Sequence, residues 1–163
     1  MSRAVLGLVA AAVVFAADQV SKEWMLDYLA VQGPLGRGRF VPVTDFFNLV
    51  VVWNRGVSFG LFAGHDDMVR WALSGLAVAV SVVLAVWLFR TRVGLVALGL
   101  GCVIGGAIGN VVDRVRFGAV FDFLDFHALG YHWPAFNVAD SGIFVGVAAL
   151  LLDGLFSRRE GHT

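Results

Sequence analysis

Two aspartates, each surrounded by apolar residues, are the side chains of this sequence best suited to chemistry. Asp122 lies in GAVFDFLDF and Asp140 lies in FNVADSGIF. Two carboxyl groups held together away from water cannot both ionise easily, so one pKa rises and the pair can share a proton. Such a pair can activate water as a base and protonate a leaving amine as an acid, as in aspartic peptidases. The spacing alone does not show that they meet, and an aspartate at a helix start is more often an N-cap.

Further charged residues lie in apolar surroundings elsewhere in the chain. Asp18 and Lys22 are four residues apart, so on a helix they share a face and can pair, which favours a structural role. Asp113 and Arg114 follow Asn110 by about one helical turn and could simply end a helix at the water boundary. Ionisable groups at membrane depth usually face the protein interior or water, which also makes them candidates for function.

Other catalytic sets are less well supported. A metal site built from Asp122, Asp125, His127 and His132 is conceivable, but the sequence has no HExxH or comparable ligand spacing. No nucleophile motif surrounds any serine, and Cys102, the single cysteine, lies in an apolar run where packing is the simplest role. The sequence therefore predicts no metal and no cofactor.

The composition places the chain in a membrane. Of 163 residues, 59% are hydrophobic and 15% are charged, whereas soluble domains are about 45–50% apolar and about 25% charged. The 12 basic and 12 acidic residues balance, so nothing indicates a nucleic-acid partner. The length fits one domain, and we expect residues 1–163 to form a single membrane domain.

Four segments are long and apolar enough to cross a bilayer: residues 4–26, 68–89, 93–112 and 138–156. The first also resembles a cleavable secretory signal. Cleavage after Ala17 is disfavoured by Phe15, but cleavage after Ala16 is acceptable, so this alternative stays open. Between spans, FVPVTDFFNLVVVWN is rich in valine and phenylalanine and predicts strand structure. Its aromatic residues Phe46, Phe47 and Trp53 are expected to be exposed and to reach the membrane interface. The predicted fold is an all-α polytopic membrane protein with four transmembrane helices and a small extracytoplasmic β-sheet region.

The charges near the spans indicate an orientation. Four spans put both termini on one side, and the Arg90–Arg92 turn between spans two and three suggests that this side is cytoplasmic. Residues 27–67 and 113–137 then face outward. In this arrangement Asp18, Asp113, Asp122 and Asp140 all lie near the outer interface.

Two other classes of protein remain as alternatives. A membrane carrier or proton-conducting protein also uses buried acids, but it would be expected to spread them along a path across the bilayer. A non-catalytic scaffold could use the glycine faces of spans three and four for assembly, which leaves the clustered acids unexplained.

Four motifs in order carry a family resemblance: DQVSK, FFNLVVVWNRGVSFGLF, GGAIGNVVDRVRFGAVFDF and PAFNVADSGI. On these motifs the chain resembles the lipoprotein signal peptidases, also called signal peptidase II, over nearly its whole length. The resemblance implies an aspartic endopeptidase of the bacterial cytoplasmic (inner) membrane. Such an enzyme removes the signal peptide of a prolipoprotein N-terminal to a diacylglyceryl-modified cysteine. The implied partners are that substrate and membrane lipid, and the implied state is a monomer.

The resemblance also implies site residues. Asp122 and Asp140 match the two catalytic aspartates. The matched substrate-binding or supporting positions are Asp18, Lys22, Asn54, Asn110, Asp113, Arg114 and Asn137. Two departures are visible: Ser58 stands where the family often has alanine, and Asp125 adds a second acid close to Asp122. The nine-residue offset from Asp113 favours Asp122 as the catalytic acid.

Overall fold

The computed structural model describes residues 2–56 and 66–160, without the side chains of residues 66 and 157–160. Ser58 lies outside the described residues, as do all of residues 57–62 at the end of its motif. Helices and strands are numbered below in chain order.

Within the described residues, four long helices form the body of the fold: α1 (Arg3–Tyr28), α2 (Asp66–Arg90), α3 (Gly94–Phe117) and α4 (Val138–Glu160). Each contains a window long and apolar enough to cross a membrane. The predicted all-α membrane fold is therefore confirmed. Helix α3 continues to Phe117, past the expected end of the third span at Val112, because no helix-breaking residue intervenes before Gly118, which ends it in a left-handed conformation (φ 84°).

Helix α3 is the central helix of the bundle. In its most apolar window 56% of residues are buried, against 11–17% in the other three helices. The reason is its glycines: a Cβ at Gly101 would collide with the carbonyl oxygen of Gly7 on α1, and a Cβ at Gly106 with that of Ala139 on α4. Small residues at these crossings let the backbones approach closely, which is how helices gain contact within lipid.

A four-stranded antiparallel sheet of order β1-β2-β3-β4 covers one end of the bundle, which we call the sheet end. Its strands are β1 (Val41–Thr44), β2 (Phe47–Asn54), β3 (Val120–Ala128) and β4 (Tyr131–His132). The predicted β-sheet region is confirmed, but the sequence placed strands only before residue 55. Strand β3 lies in the second connecting segment, where no strand was expected.

The packing of the sheet corrects one expectation about its aromatic residues. Phe46 is exposed as predicted, but Phe47 is half-buried against Phe126 at a centroid distance of 4.8 Å. Trp53 is likewise half-buried, between Phe117 and Phe121, at centroid distances of 5.4 and 5.1 Å. Its indole N–H donates to the carbonyl oxygen of Gly36 over 2.9 Å. Trp53 therefore ties the loop before β1 to the sheet.

Alternation along β3 divides its side chains between two faces. Phe121 and Phe123 pack with Met25 and Leu29 of α1 in a core that fixes the sheet to the bundle. Asp122 lies on the other face, and its position is set by this packing.

Candidate active site

Asp140 lies in the first turn of α4, where a reciprocal cap fixes it. The side-chain Oδ1 of Asn137 accepts a hydrogen bond from the backbone N of Asp140 over 2.9 Å. In return, the backbone N of Asn137 donates to Oδ2 of Asp140 over 3.3 Å. Two otherwise unpaired N–H groups at the helix start are satisfied in this way, as in a capping box. The cap that begins α4 therefore also orients the carboxylate of Asp140.

The same asparagine joins Asp140 to Asp122. The Nδ2 of Asn137, which is fully buried, donates to Oδ1 of Asp122 over 2.7 Å. The second oxygen of Asp122 accepts from Nδ2 of Asn54 at the end of β2 over 3.1 Å. The structure therefore brings both predicted catalytic aspartates to one asparagine, one from a strand and one from a helix.

Asn110 on α3 contacts both Asp140 and Asn137. Its Nδ2 donates to Oδ1 of Asp140 over 2.8 Å. Its Oδ1 accepts from Nδ2 of Asn137 over 3.2 Å and from Nζ of Lys22 over 3.3 Å. Asn110 therefore connects the two aspartates to a charged layer deeper in the bundle.

That deeper layer consists of Asp18, Lys22 and Asp113, all at most 2% exposed. The ammonium group of Lys22 lies 2.9 Å from Oδ2 of Asp18 and 2.8 Å from Oδ2 of Asp113. Buried charges persist only when they are paired and hydrogen-bonded, and these three satisfy one another. The expected i,i+4 pair of Asp18 and Lys22 is present, with Asp113 as its third member.

The charged layer also holds the two elements that carry the candidate catalytic residues. Oδ1 of Asp18 accepts from the backbone N of Ala139 in the first turn of α4 over 2.9 Å. Oδ2 of Asp113 accepts from the backbone N of Phe121 on β3 over 3.0 Å. Asp18 therefore fixes the residue before Asp140, and Asp113 fixes the residue before Asp122. The charged layer positions both candidate catalytic aspartates in this way.

Arg114 lies at the side of the site. Its Nη1 donates to the carbonyl oxygen of Asn110 over 3.4 Å. Its Nε is buried and has no hydrogen-bond partner within the described residues.

The loop after β2 is shaped by an Asx-type turn, in which the backbone N of Gly56 donates to Oδ1 of Asn54 over 2.8 Å. Asn54 thus bonds Asp122 with one end of its amide and shapes this loop with the other.

The environment of Asp122 changes its acidity. Its side chain is 1% exposed, and burial is the largest cause that raises its pKa, to about 7. The neighbouring Asp140 raises it further, because two nearby negative charges repel. Hydrogen bonds from Asn54 and Asn137 and the charge of Lys22 lower the pKa and only partly offset these effects. Asp122 is therefore suited to hold a proton near neutral pH.

A groove gives access to Asp140 from the side of the bundle. It has a volume of about 430 Å³ and is lined by Trp133, Phe136, Asp140, Ser141, Phe144 and Val145. The lining is almost entirely apolar, and the half-buried Asp140 is its one charged residue. An acid in the lining of an apolar groove fits a substrate that reaches the site from lipid.

Asp125 lies on the opposite face of β3 from Asp122. Its Oδ2 accepts from Nδ2 of Asn48 over 2.8 Å, and Nδ1 of His132 lies 2.9 and 3.0 Å from its two oxygens. Burial alone would raise the pKa of Asp125, but these hydrogen bonds outweigh it and lower the pKa below its ordinary value. Among the described residues, no group of three His, Cys, Asp or Glu side chains could hold a metal ion.

One residue of the network was missed from the sequence. Gln19 donates through Nε2 to Oδ2 of Asp18 over 3.0 Å, to Oδ1 of Asp113 over 3.3 Å and to the carbonyl oxygen of Gly109 over 3.4 Å. Its position beside Asp18 in an apolar helix was an available signal, because a polar amide in such a segment also needs partners.

The fold and the site together define a class: an integral membrane protein with an acidic polar site at one end of a four-helix bundle. A family model described as Signal peptidase (SPase) II matches residues 10–156. A lipoprotein signal peptidase of Methylobacterium sp. (strain 4-46) is 46% identical over 157 residues, covering 96% of this chain and 93% of that protein. One from Rhodopseudomonas palustris (strain TIE-1) is 44% identical, covering 92% of each chain.

Solved structures agree on the fold. One bacterial membrane enzyme, determined at 2.3 Å resolution, has a TM-score of 0.76 at 24% identity and covers 96% of this chain and 91% of its own. Another, at 1.9 Å resolution, has a TM-score of 0.75 at 26% identity, with coverage of 91% and 92%. The chain belongs to the lipoprotein signal peptidase (signal peptidase II) family. Membership supports a peptidase that processes the signal peptides of prolipoproteins in a membrane.

Proposed function

We propose that the protein is an aspartic endopeptidase that cleaves prolipoproteins N-terminal to the diacylglyceryl-modified cysteine, with Asp122 and Asp140 as its catalytic residues. The observation that carries this proposal is the asparagine bridge: Asn137 donates to the Asp122 carboxylate from its side-chain amide and to the Asp140 carboxylate from its backbone N, in a water-poor site. No other pair of acids among the described residues combines such a bridge with a groove that opens onto one member.

The proposed reaction divides the roles of the two acids. Near neutral pH the pair carries one proton, held by Asp122, whose pKa is about 7. The Asp140 carboxylate takes a proton from a water molecule while the water oxygen bonds to the carbonyl carbon of the scissile amide. Asp122 gives its proton to the carbonyl oxygen, which forms a tetrahedral intermediate with two hydroxyl groups. Asp140 then gives the proton it took from water to the amide nitrogen, and one hydroxyl of the intermediate returns its proton to Asp122 as the carbonyl re-forms and the carbon–nitrogen bond breaks. The dyad ends with one proton, as it began.

The supporting residues are assigned by their contacts. Asn54, Asn110 and Asn137 hold the carboxylates by amide donors, and Arg114 beside them is available to substrate backbone. A second group shapes the elements that carry the acids and does not touch substrate: Asp18, Lys22 and Asp113. No metal or other cofactor takes part in the proposed reaction.

The apolar groove supports the substrate assignment. Phe144 and Val145 in its wall are 75% and 59% exposed on a helix that spans the membrane, so the groove opens toward lipid. A cysteine that carries acyl chains can reach Asp140 from there without leaving the bilayer. We place the sheet end at the outer leaflet of the bacterial cytoplasmic membrane, with both termini cytoplasmic and the protein acting as a monomer.

Cleavage of a defined substrate tests the proposal. The purified protein is incubated with a diacylglyceryl-modified prolipoprotein, and the products are identified by mass spectrometry. We expect a new N-terminus at the modified cysteine, and we expect Asp122→Asn and Asp140→Asn each to lower the rate by at least about 10³-fold, because each keeps shape but removes an acid or base.

Asp125→Asn is the matched control, because it makes the same change on the same strand but on the other face. It should retain the rate of the unchanged protein, with folding of all variants checked by thermal unfolding in detergent. A folded Asp122→Asn or Asp140→Asn variant that cleaves normally would remove the dyad assignment. Cleavage at another bond would remove the assigned site of action.

A further inference from the structure

The far end of the sheet, away from the catalytic residues, exposes a group of large apolar side chains. The β1–β2 and β3–β4 turns meet there, because the backbone N of His127 donates to the carbonyl oxygen of Phe46 over 2.9 Å. We call this end the sheet tip and define it by Phe46, residues 128–131 and Trp133. Phe46, Leu129, Tyr131 and Trp133 are 57%, 107%, 71% and 62% exposed. A water-soluble surface rarely collects so many exposed apolar residues.

Leu129 is an unusual residue for its backbone conformation. Leu129 and Gly130 form the β3–β4 turn with φ values of 52° and 80°. A two-residue turn with both values positive favours Asn-Gly or Asp-Gly, because a bulky side chain is disfavoured in the left-handed region. Leu129 has this conformational cost, and its side chain is also fully exposed. Contact with an apolar environment is a reason for leucine at this position that the turn itself does not supply.

The two faces of the sheet near the tip differ in polarity. Cross-strand partners share a face, so Asn48 and Asp125 lie together, as do His127 and His132. These polar residues occupy one face. The other face continues outward from Asp122 through Leu124, Phe126 and Tyr131. A sheet that is polar on one face and aromatic on the other fits a boundary between water and lipid.

The apolar side of the tip is continuous with the lipid-facing surface of α4. Trp133 lines a shallow groove with Phe46 and Tyr131 at the tip, and it also lines the groove that contains Phe144 and Val145. One apolar surface therefore runs from a membrane-spanning helix to the sheet tip. Tryptophan and tyrosine are the residues that favour the membrane interface. Lipid is the occupant that this continuity supports.

We propose that the sheet tip inserts into the lipid leaflet at the sheet end, with Leu129 as its deepest side chain and Trp133 and Tyr131 at the headgroup level. The polar face with Asp125 and His132 then remains in water. This anchor would act together with α1–α4 to fix the height of the sheet in the membrane. It does not depend on the identity of the catalytic residues.

Spin-label accessibility tests the insertion in lipid nanodiscs without substrate. In a Cys102→Ala background, a nitroxide is placed at Leu129→Cys, at Leu151→Cys on the exposed surface of α4, or at Arg37→Cys in the exposed loop before β1. Oxygen concentrates in the acyl region and a water-soluble nickel chelate is excluded from it. We expect the ratio of oxygen to nickel relaxation at 129 to match that at 151 and to exceed that at 37 several-fold.

A second variant separates insertion from a folding effect. Leu129→Asn places a residue that suits the left-handed turn, so the sheet should remain folded by thermal unfolding in detergent. A label at Tyr131→Cys should nevertheless lose oxygen preference when Leu129→Asn is added. The proposal is overturned if the ratio at 129 equals that at 37. It is also overturned if dipolar broadening shows two tips in contact, or if lipid-like accessibility requires substrate.

Discussion

Asn137 is the residue on which the geometry of both aspartates depends. Its side-chain oxygen accepts from the backbone N of Asp140, and its backbone N–H donates to the Asp140 carboxylate, so that both cap α4. Its side-chain nitrogen donates to the Asp122 carboxylate. The cap of α4 and the bridge between the two acids are thus made by the same residue. Because an amide has both donor and acceptor atoms, asparagine can perform both tasks at once. An aspartate there would bring a third negative charge to the pair.

At the residue scale, the pKa of Asp122 sets the pH dependence of cleavage. If the active form of the pair carries one proton, the rate should fall as pH rises through about 7, where Asp122 loses its proton. Asn54→Ala removes a hydrogen bond that favours the charged carboxylate, so the pKa of Asp122 should rise. We expect the alkaline limb of the pH–rate profile to move to higher pH and the maximal rate to fall.

The readout for this prediction is kcat between pH 5 and 9 with the lipidated substrate. Asn48→Ala is the control, because Asn48 makes the corresponding bond to Asp125 on the other face of the sheet. Its alkaline limb should stay in place. A limb that moves to lower pH in Asn54→Ala would show that this amide does not stabilise the ionised form of Asp122.

At the element scale, the close approach of α1 and α3 depends on glycine. Gly109 has no side chain, and this leaves room for the carboxylate of Asp18 from the neighbouring helix. A Cβ at this position would lie 2.5 Å from Oδ2 of Asp18, a distance that real contacts do not adopt. The glycine spacing of α3 therefore does more than pack helices, because it also creates the space that the buried charges occupy.

Gly109→Ala is therefore expected to destabilise the fold by about 1–3 kcal/mol, the usual cost of overpacking. It should also reduce cleavage, because Asp18 fixes Ala139 at the start of α4. Thermal unfolding in detergent measures the first effect and the peptidase assay measures the second.

Gly75→Ala on α2 is the matched control for this substitution. A Cβ at Gly75 meets nothing within 4 Å, so alanine there should be neutral or stabilising by up to about 1 kcal/mol. Equal unfolding temperatures for the Gly109 and Gly75 variants would contradict the close-packing argument.

At the scale of the whole molecule, Lys22 connects three helices. It pairs with Asp18 on its own helix and with Asp113 on α3, and Asp18 in turn holds the backbone of α4. The side chain is 2% exposed. Removal of one partner from a buried charge network leaves the other charges unpaired away from water. The resulting loss of folding stability is larger than the stability that the intact network contributes.

We expect Lys22→Met to destabilise the protein by about 3–5 kcal/mol, the range for breaking a buried ion pair. Methionine preserves the apolar stem but leaves two carboxylates without a cation. Adding Asp113→Asn should restore part of the loss, since one negative charge is then removed. Thermal and chemical unfolding in detergent measure both changes.

Arg90→Met, at an exposed position near the end of α2, is the control for loss of a positive charge. It should change stability by less than about 1 kcal/mol, as exposed charges usually do. If Lys22→Met were as mild as Arg90→Met, the charged layer would not be a structural requirement.

The sequence by itself determined the membrane class, the four helices and the candidate residues. These features depend on local composition, because about 20 consecutive apolar residues form a helix in a bilayer whatever surrounds them. The motifs also singled out Asp122 over Asp125. The alternation of GAVFDFLDF is a signal for β3 and for two acids on opposite faces, but a short apolar segment between two spans does not by itself distinguish a strand from a connecting loop.

Only the tertiary structure decided which groups meet. Asp122 and Asp140 come from a strand and a helix, and their common contact with Asn137 depends on how β3 and α4 pack against α3. The burial of Trp53 against Phe117 and the exposure of Leu129 are likewise set by the register of the sheet. The physical reason is that hydropathy and helix formation act over neighbouring residues. Hydrogen-bond distances and pKa values depend instead on side chains that are far apart in the chain.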